Sequence, residues 1–571
     1  MDSRSPRFEK IAYLLILLLA LALRFTRLGL PALTDSEAAL ALQALGIAQG
    51  TDPALTSQVA YVNFSAILFF IFGSTNFLAR FWPALAGTAL VFVPYLFRDQ
   101  LKPRAAILLA AFMAIDPALV SFSRQAGSPI FAVTFSLLAL AFWMRTQPRL
   151  SGLFLGLALL SGPSLWTGLI GLLLTRLFLL GFTPREKPTE DSNATPALQT
   201  DSPIEKPNYR LLITSVALTI LFASTLFLLV PQGLGAWLGS IPEFFSAQTA
   251  SPFLSRSNLF IVFVAYELLA VLLAVIAILR GVLTTARRVI RLTVWALVAF
   301  AVPMLYSAHL PGDLIWAVLP MLTLAALELS RHLQLPRTDQ LETAGVAFFT
   351  LLLLFFAWLD FNALWYTPLS TPQGTLRIWL FIGALFLIIV SAVLVAYGWS
   401  PRIARVGVAW GGALVLGAFT LGAAWGGAGM RNPLSAELWT GDAPIAQADL
   451  IAQTVNDVSE WSTGDPYNLK VIVYGVDSPA LMWTLRFHRV ERVAGLDASS
   501  TPELVVTLPQ ESLQLAASYR GQDFTWRKVP MWDQFSAFTL QWLTYHELPV
   551  QTDTVVLWVR SDLSVGTQQS R

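Results

Sequence analysis

The sequence predicts an all-α polytopic membrane bundle of about thirteen spans, followed by a small extracytoplasmic α/β domain. Three observations predict it. Of 571 residues, 55% are hydrophobic and only 13% charged, with a mean hydropathy of +0.62, whereas an ordinary soluble domain is about 25% charged. Apolar stretches approaching the roughly 20 residues of a spanning helix recur as far as residue 425. From about Arg431 charges return, and short apolar runs alternate between strand and helix patterns. A soluble globular chain is excluded, because too few polar side chains exist to cover a core of this size.

In chain order the spans are 11–30, 77–97, 105–123, 129–144, 151–162, 165–182, 211–230, 258–279, 292–308, 313–330, 343–359, 376–397 and 406–425. The block 151–182 divides at the turn Ser161-Gly162-Pro163-Ser164. With the N-terminus inside, twenty-one Lys and Arg fall on inner loops and six on outer ones before residue 430, as the positive-inside rule requires. The first span is flanked by Arg24 and Arg27 without a small-residue cleavage site, so it reads as an anchor. Residues 1–430 therefore form the membrane domain of a multi-pass protein of the cytoplasmic membrane. Within it the first outer loop runs about 31–76, and an inner loop at about 183–209, rich in Pro, Thr, Asp and Glu, reads as disordered.

Residues 431–571 form the outer domain. Ala446–Trp461 and Pro479–Phe487 have helical spacing, whereas Leu469–Tyr474, Leu504–Leu508 and Thr554–Val559 read as strands. No Cys is present, and the four His are scattered, so thiolate chemistry and a His-rich metal cluster are absent from the sequence. No basic stripe for nucleic acid exists. Asp477, His488 and His546 lack the spacing of a hydrolase or a metal site. The aromatic set Tyr519, Phe524, Trp526, Trp532, Trp542 and Tyr545 reads as core rather than as a sugar platform.

The first outer loop is unusually long and carries Thr34-Asp35-Ser36-Glu37, followed by amphipathic stretches Ala39–Ala48 and Tyr61–Phe72. Asp35 and Glu37 read either as acids presented at the lipid–water boundary or as caps of a helix starting near Ser36. Asp116 and Arg124 close the third span. They read as an acid and a phosphate-binding fork, or as a helix-ending Asp-Pro and a snorkelling Arg. His309 and Asp313 sit in a turn, as contacts to sugar or phosphate or as a turn residue and an N-cap. Glu267, mid-span, is expected to face the bundle interior. Glu243 and Asp360 read as solvated loop charges.

Arg24–Gly29 (R-F-T-R-L-G), the acidic loop, Phe72-Gly73, Ala79–Gly87 and Ser121–Arg124 occur in an order that resembles the GT-C glycosyltransferases. That superfamily holds the protein O-mannosyltransferases and the lipid A aminoarabinose transferases. Asn432-Pro433-Leu434 and Trp483–Val490 resemble a bacterial and archaeal group with an extracytoplasmic C-terminal domain. The resemblance implies transfer of a sugar from a polyprenyl-phosphate lipid to a glycan, lipid or protein hydroxyl, with inversion. It implies Asp35, then Glu37, as general base, with Arg80 and Arg124 on the phosphate side. No cofactor is certain, and a divalent Mg or Mn ion is compatible with the family. Ser36 interrupts the usual adjacent acidic pair, and no carboxylate follows Arg124. A lipid flippase or transporter and a non-catalytic GT-C relative are the alternatives.

Overall fold

The computed structural model describes residues 6–182, 208–249, 254–306, 308, 310–333, 339–367, 370–431 and 435–563. His309, the segment 184–207 and Asn432-Pro433-Leu434 lie outside them.

Among the described residues seven helices are long and apolar enough to cross a membrane, or nine if two bent pairs each count as one span, which makes the chain a multi-pass membrane protein. The thirteen spans expected from the sequence exceed that count for a physical reason. Ile130–Met144, Pro148–Leu159 and Tyr209–Ser224 are apolar but have only 15, 12 and 16 residues, and a 12-residue helix reaches about 18 Å. Helix α1 (Pro6–Phe25) carries Arg7, Glu9, Lys10 and Arg24 within its 20 residues. The division of 151–182 appears as expected, between Pro148–Leu159 and Ser164–Phe182.

The two bent pairs break at acidic residues. Pro103–Ile115 and Pro117–Ser123 meet at 58°. Pro117 drives the residue before it out of the helical region, and Asp116 accordingly sits at φ −65°, ψ 126°. Its Oδ1 then accepts a hydrogen bond from the Leu119 amide at 2.8 Å and caps the next helix. Arg256–Tyr266 and Leu268–Leu283 meet at 91°, and Glu267, expected to face the bundle interior, lies buried at the break between them. Asp360, expected as a solvated loop charge, is buried within Gln340–Ala363 and paired with Arg377 at 2.7 Å. A carboxylate facing an apolar helix packing is stable only when so paired.

The first loop folds into α2 (Asp35–Ala48) and α3 (Val59–Phe72), then enters α4 (Asn76–Leu90). The C-terminal domain is α/β: strands β1 (Lys470–Tyr474), β2 (Arg489–Val493), β3 (Leu504–Thr507), β4 (Tyr519–Pro530) and β5 (Val550–Arg560) lie in the order β2-β1-β3-β5-β4. β1 pairs parallel with β2 and β3, and β5 pairs antiparallel with β3 and β4. The strands read from sequence are the inner ones. The edge strands β2 and β4 were not expected, because their mixed polar sequences face solvent along one side. Phe524, Trp526, Trp532 and Trp542 are buried core, as the sequence reading held.

Candidate functional site

Thr34 precedes α2 with extended backbone, and Glu37, three residues on, reaches back so that its Oε2 accepts from the Thr34 amide at 3.0 Å. The same carboxylate takes Arg80 of α4 in a fork: Nε to Oε1 at 2.8 Å and Nη2 to Oε2 at 2.5 Å. The Ala126 amide donates to Oε1 at 2.9 Å. Four donors therefore fill the roughly four acceptor positions of one carboxylate. Burial alone would raise the Glu37 pKa, but Arg80 and the two amides outweigh it and hold the carboxyl below its usual range. Arg80 also donates to the carbonyls of Leu28, Pro31 and Ala32, so all five guanidinium protons are engaged.

Asp35 points the other way, into the C-terminal domain. Its Oδ1 accepts from Ser478 Oγ at 2.5 Å and the Ala480 amide at 3.0 Å, and its Oδ2 from Arg527 Nε at 2.7 Å and Nη2 at 2.5 Å. Beside it the Ser36 amide donates to Asp442 Oδ2 at 2.8 Å, and Arg486 and Trp483 bond Ser74 and Asn76. Substituting Asp35→Asn is expected to loosen this seat without unfolding the chain. Amide exchange in the helix Pro479–Thr484 should quicken, while the thermal midpoint barely moves, since the pair is partly solvated.

Arg124, at the end of the third expected span, and Arg24, in the last turn of α1, both cap helices. Arg124 Nη1 donates to the carbonyls of Leu23, Arg24 and Thr26 at the end of α1. Arg24 donates to those of Met113 and Ala114 at the end of Pro103–Ile115. Cations are favourable at helix C-termini, where carbonyls lack partners. Asp116 lies near Arg24 and against Glu267, and the Asp116 and Glu267 side chains line one small cavity. Asp313, in the turn before Ile315–Ser330, accepts from the Tyr306 hydroxyl at 2.5 Å. Thus Glu37, Arg80 and Arg124 converge in one knot, while Asp35, Asp116 and Asp313 lie apart from it.

A larger open groove lies elsewhere, lined by Asp52–Ser57 after α2 and by Gln232, Gly235, Ala236, Gly239 and Glu243. Asp52 and Glu243 are its two carboxylates, and Gln232 donates to Asp52. Sequence reading gave Asp52 no role and took Glu243 as a loop charge; no local pattern marks either, because the groove joins segments 180 residues apart. Gln58, at its border, is held between Gly127 and Gly162, both at positive φ. A Cβ on Gly127 would meet Leu40 and, at 2.6 Å, Gln58 Oε1. Gly127→Ala is expected to destabilise by about 1–3 kcal/mol, read as a lower thermal midpoint.

A divalent cation does not fit the first-loop acids. Asp35 and Glu37 face different ways with their oxygens already bonded, and among the described residues no three His, Asp or Glu side chains gather as metal ligands.

No protein-family model and no curated protein sequence matches the chain. Among solved structures, ArnT from Cupriavidus metallidurans bound to undecaprenyl phosphate superposes with a TM-score of 0.52. The match has 15% identity and covers 96% of this chain and 98% of that one. The chain shares the fold of that ArnT. The apo state of the same ArnT superposes at 0.49, with equal identity and coverage. The Archaeoglobus fulgidus oligosaccharyltransferase in complex with Zn and sulfate reaches 0.40, at 14% identity over 87% of this chain and 68% of that one. In this fold the first-loop helices α2 and α3 border the open groove and α2 carries the C-terminal domain.

Proposed function

We propose that the chain is a membrane glycosyltransferase that takes a sugar from a polyprenyl-phosphate donor at the outer face of the cytoplasmic membrane. The observation that carries this reading is the GT-C fold over 96% of the chain, shared with a protein held in complex with undecaprenyl phosphate. The N-terminus lies inside and the C-terminal domain outside, in keeping with the Lys and Arg bias of the loops. The open groove receives the donor head group and the acceptor. Asp52 or Glu243 takes the proton from an acceptor hydroxyl, whose oxygen attacks the anomeric carbon. The bond from that carbon to phosphate breaks, its electron pair leaves with the polyprenyl phosphate, and the configuration inverts. Asp35, Glu37, Arg80 and Arg124 act on this reading by positioning the loop, since their polar atoms are bonded within the protein.

One observation favours a second reading, a GT-C relative that holds a lipid-linked sugar without transferring it. Among the described residues the groove lining includes no Lys or Arg to receive the charge of a leaving phosphate. Reconstituted full-length protein given radiolabelled polyprenyl-phosphate sugars and a mixture of glycan, lipid and peptide acceptors separates the two. Label moving to an acceptor supports the transferase. Retention of donor without turnover supports the relative, and movement of intact donor across liposomes would identify a flippase instead.

A further inference from the structure

At the N-terminal end of α2, opposite the groove, the first loop and the C-terminal domain enclose a cavity of about 350 Å³. Its walls combine two chemistries. Tyr467 and Phe487 supply exposed aromatic surface over a floor of buried Trp483, and Asn456, His488 and Asp449 supply hydrogen-bonding groups. Tyr467 and Phe487 are half exposed although their rings lie 5.7 Å apart, so part of each face is open.

His488 is the informative residue. Its Nε2 pairs with Asn456 Oδ1 at 2.7 Å, while its Nδ1 is buried and without a donor. Burial holds the imidazole below its ordinary pKa, so at neutral pH it is uncharged. Nε2–H then donates to Asn456, which leaves the Nδ1 lone pair to accept. A buried acceptor without a partner costs about 1–3 kcal/mol, and a ligand hydroxyl relieves that cost. Arg486, the cation of the cavity, is stacked on Trp483 and Phe487 and bonded to Ser74 and the Trp483 carbonyl. Aromatic faces with neutral amide and imidazole partners suit a ring that is apolar on its C–H face and hydroxylated at its edge.

We propose that this cavity is a saccharide subsite that holds a neutral hexose-type unit of a glycan. The cavity borders Ala32 and Leu33 before α2, and the groove borders Asp52 beyond it, so the two lie about 20 Å apart, the length of a 14-residue helix. A glycan chain, rather than a single sugar or a lipid, reaches both. As far as this names the acceptor, it rests on the transferase reading; the binding step does not.

The test uses the full chain in lipid nanodiscs, free of glycoside detergents, titrated with methyl α-D-mannopyranoside, methyl β-D-glucopyranoside, N,N′-diacetylchitobiose and, for comparison, a neutral hexapeptide. Binding is read by saturation-transfer NMR and calorimetry. One or more sugars should bind saturably, with saturation strongest at ring C–H protons. Tyr467→Ala, which removes a half-exposed ring, and His488→Phe, which keeps the volume, should each weaken binding by about tenfold or more. Asp497→Asn, on an exposed turn that lines neither cavity, should leave sugar binding unchanged. No saturable binding of any sugar, equal binding by both cavity variants, or binding of the peptide alone overturns the proposal. Sugar binding in a protein that transfers nothing upholds the subsite and refutes the transferase.

Discussion

Glu37→Gln and Arg80→Met are each expected to lower stability by about 3–5 kcal/mol, because each leaves the other partner buried and unpaired. The two side chains are 3% and 7% exposed, so water cannot replace the missing partner. Arg80→Met would also strip the carbonyls of Leu28, Pro31 and Ala32 of their donors and free the chain that leads into α2. Thermal unfolding in nanodiscs measures the effect. The double variant Glu37→Gln/Arg80→Met should lose less than the sum of the single losses, because the uncompensated charge is gone. The pair also predicts acid sensitivity. The folded-state pKa of Glu37 lies below its unfolded value, so its contribution is complete above about pH 4.3 and is lost as pH falls further, through the depressed folded value. A Glu37→Gln protein should show a shallower acid transition. A full-strength midpoint in both single variants would show that the knot does not hold the loop.

The largest effect on activity is expected in the groove. Asp52→Asn or Glu243→Gln should reduce sugar transfer by about 10²–10⁴-fold, the usual contribution of a general base, while expression and melting stay near those of the parent. Both carboxylates border open space, so their amides fit without leaving a buried charge. Asp35→Asn should retain most transfer, since its carboxylate is bonded to Ser478, Ala480 and Arg527. Radiolabelled product per minute at saturating donor reads all three. Transfer abolished by Asp35→Asn, with Asp52→Asn and Glu243→Gln both fully active, would return the base to the first residue of α2 and remove the groove from the reaction.

Local chemistry was legible, and long-range pairing was not. The Thr34–Glu37 cap, the break before Pro117 and the turn at 161–164 lie within a few residues, so spacing alone exposes them. The roles of Asp35 and Asp52 depend on partners 443 and 180 residues away, and nothing near either residue encodes those distances. The resemblance implies Arg80 and Arg124 on the phosphate side; in the fold Arg80 bonds Glu37 and three carbonyls, and Arg124 bonds carbonyls at the end of α1. Whether a guanidinium grips a phosphate or a row of carbonyls depends on which helix ends reach it first.

The amino-acid order by itself determined a multi-pass helical membrane protein with an α/β appendage, because apolar length, periodicity and charge bias are properties of contiguous segments. Only the tertiary structure decided which polar groups remain open to a ligand. Folding satisfied the acids and arginines of the first loop against one another and against the C-terminal domain, and left two carboxylates lining the groove and the Nδ1 of His488 without a donor.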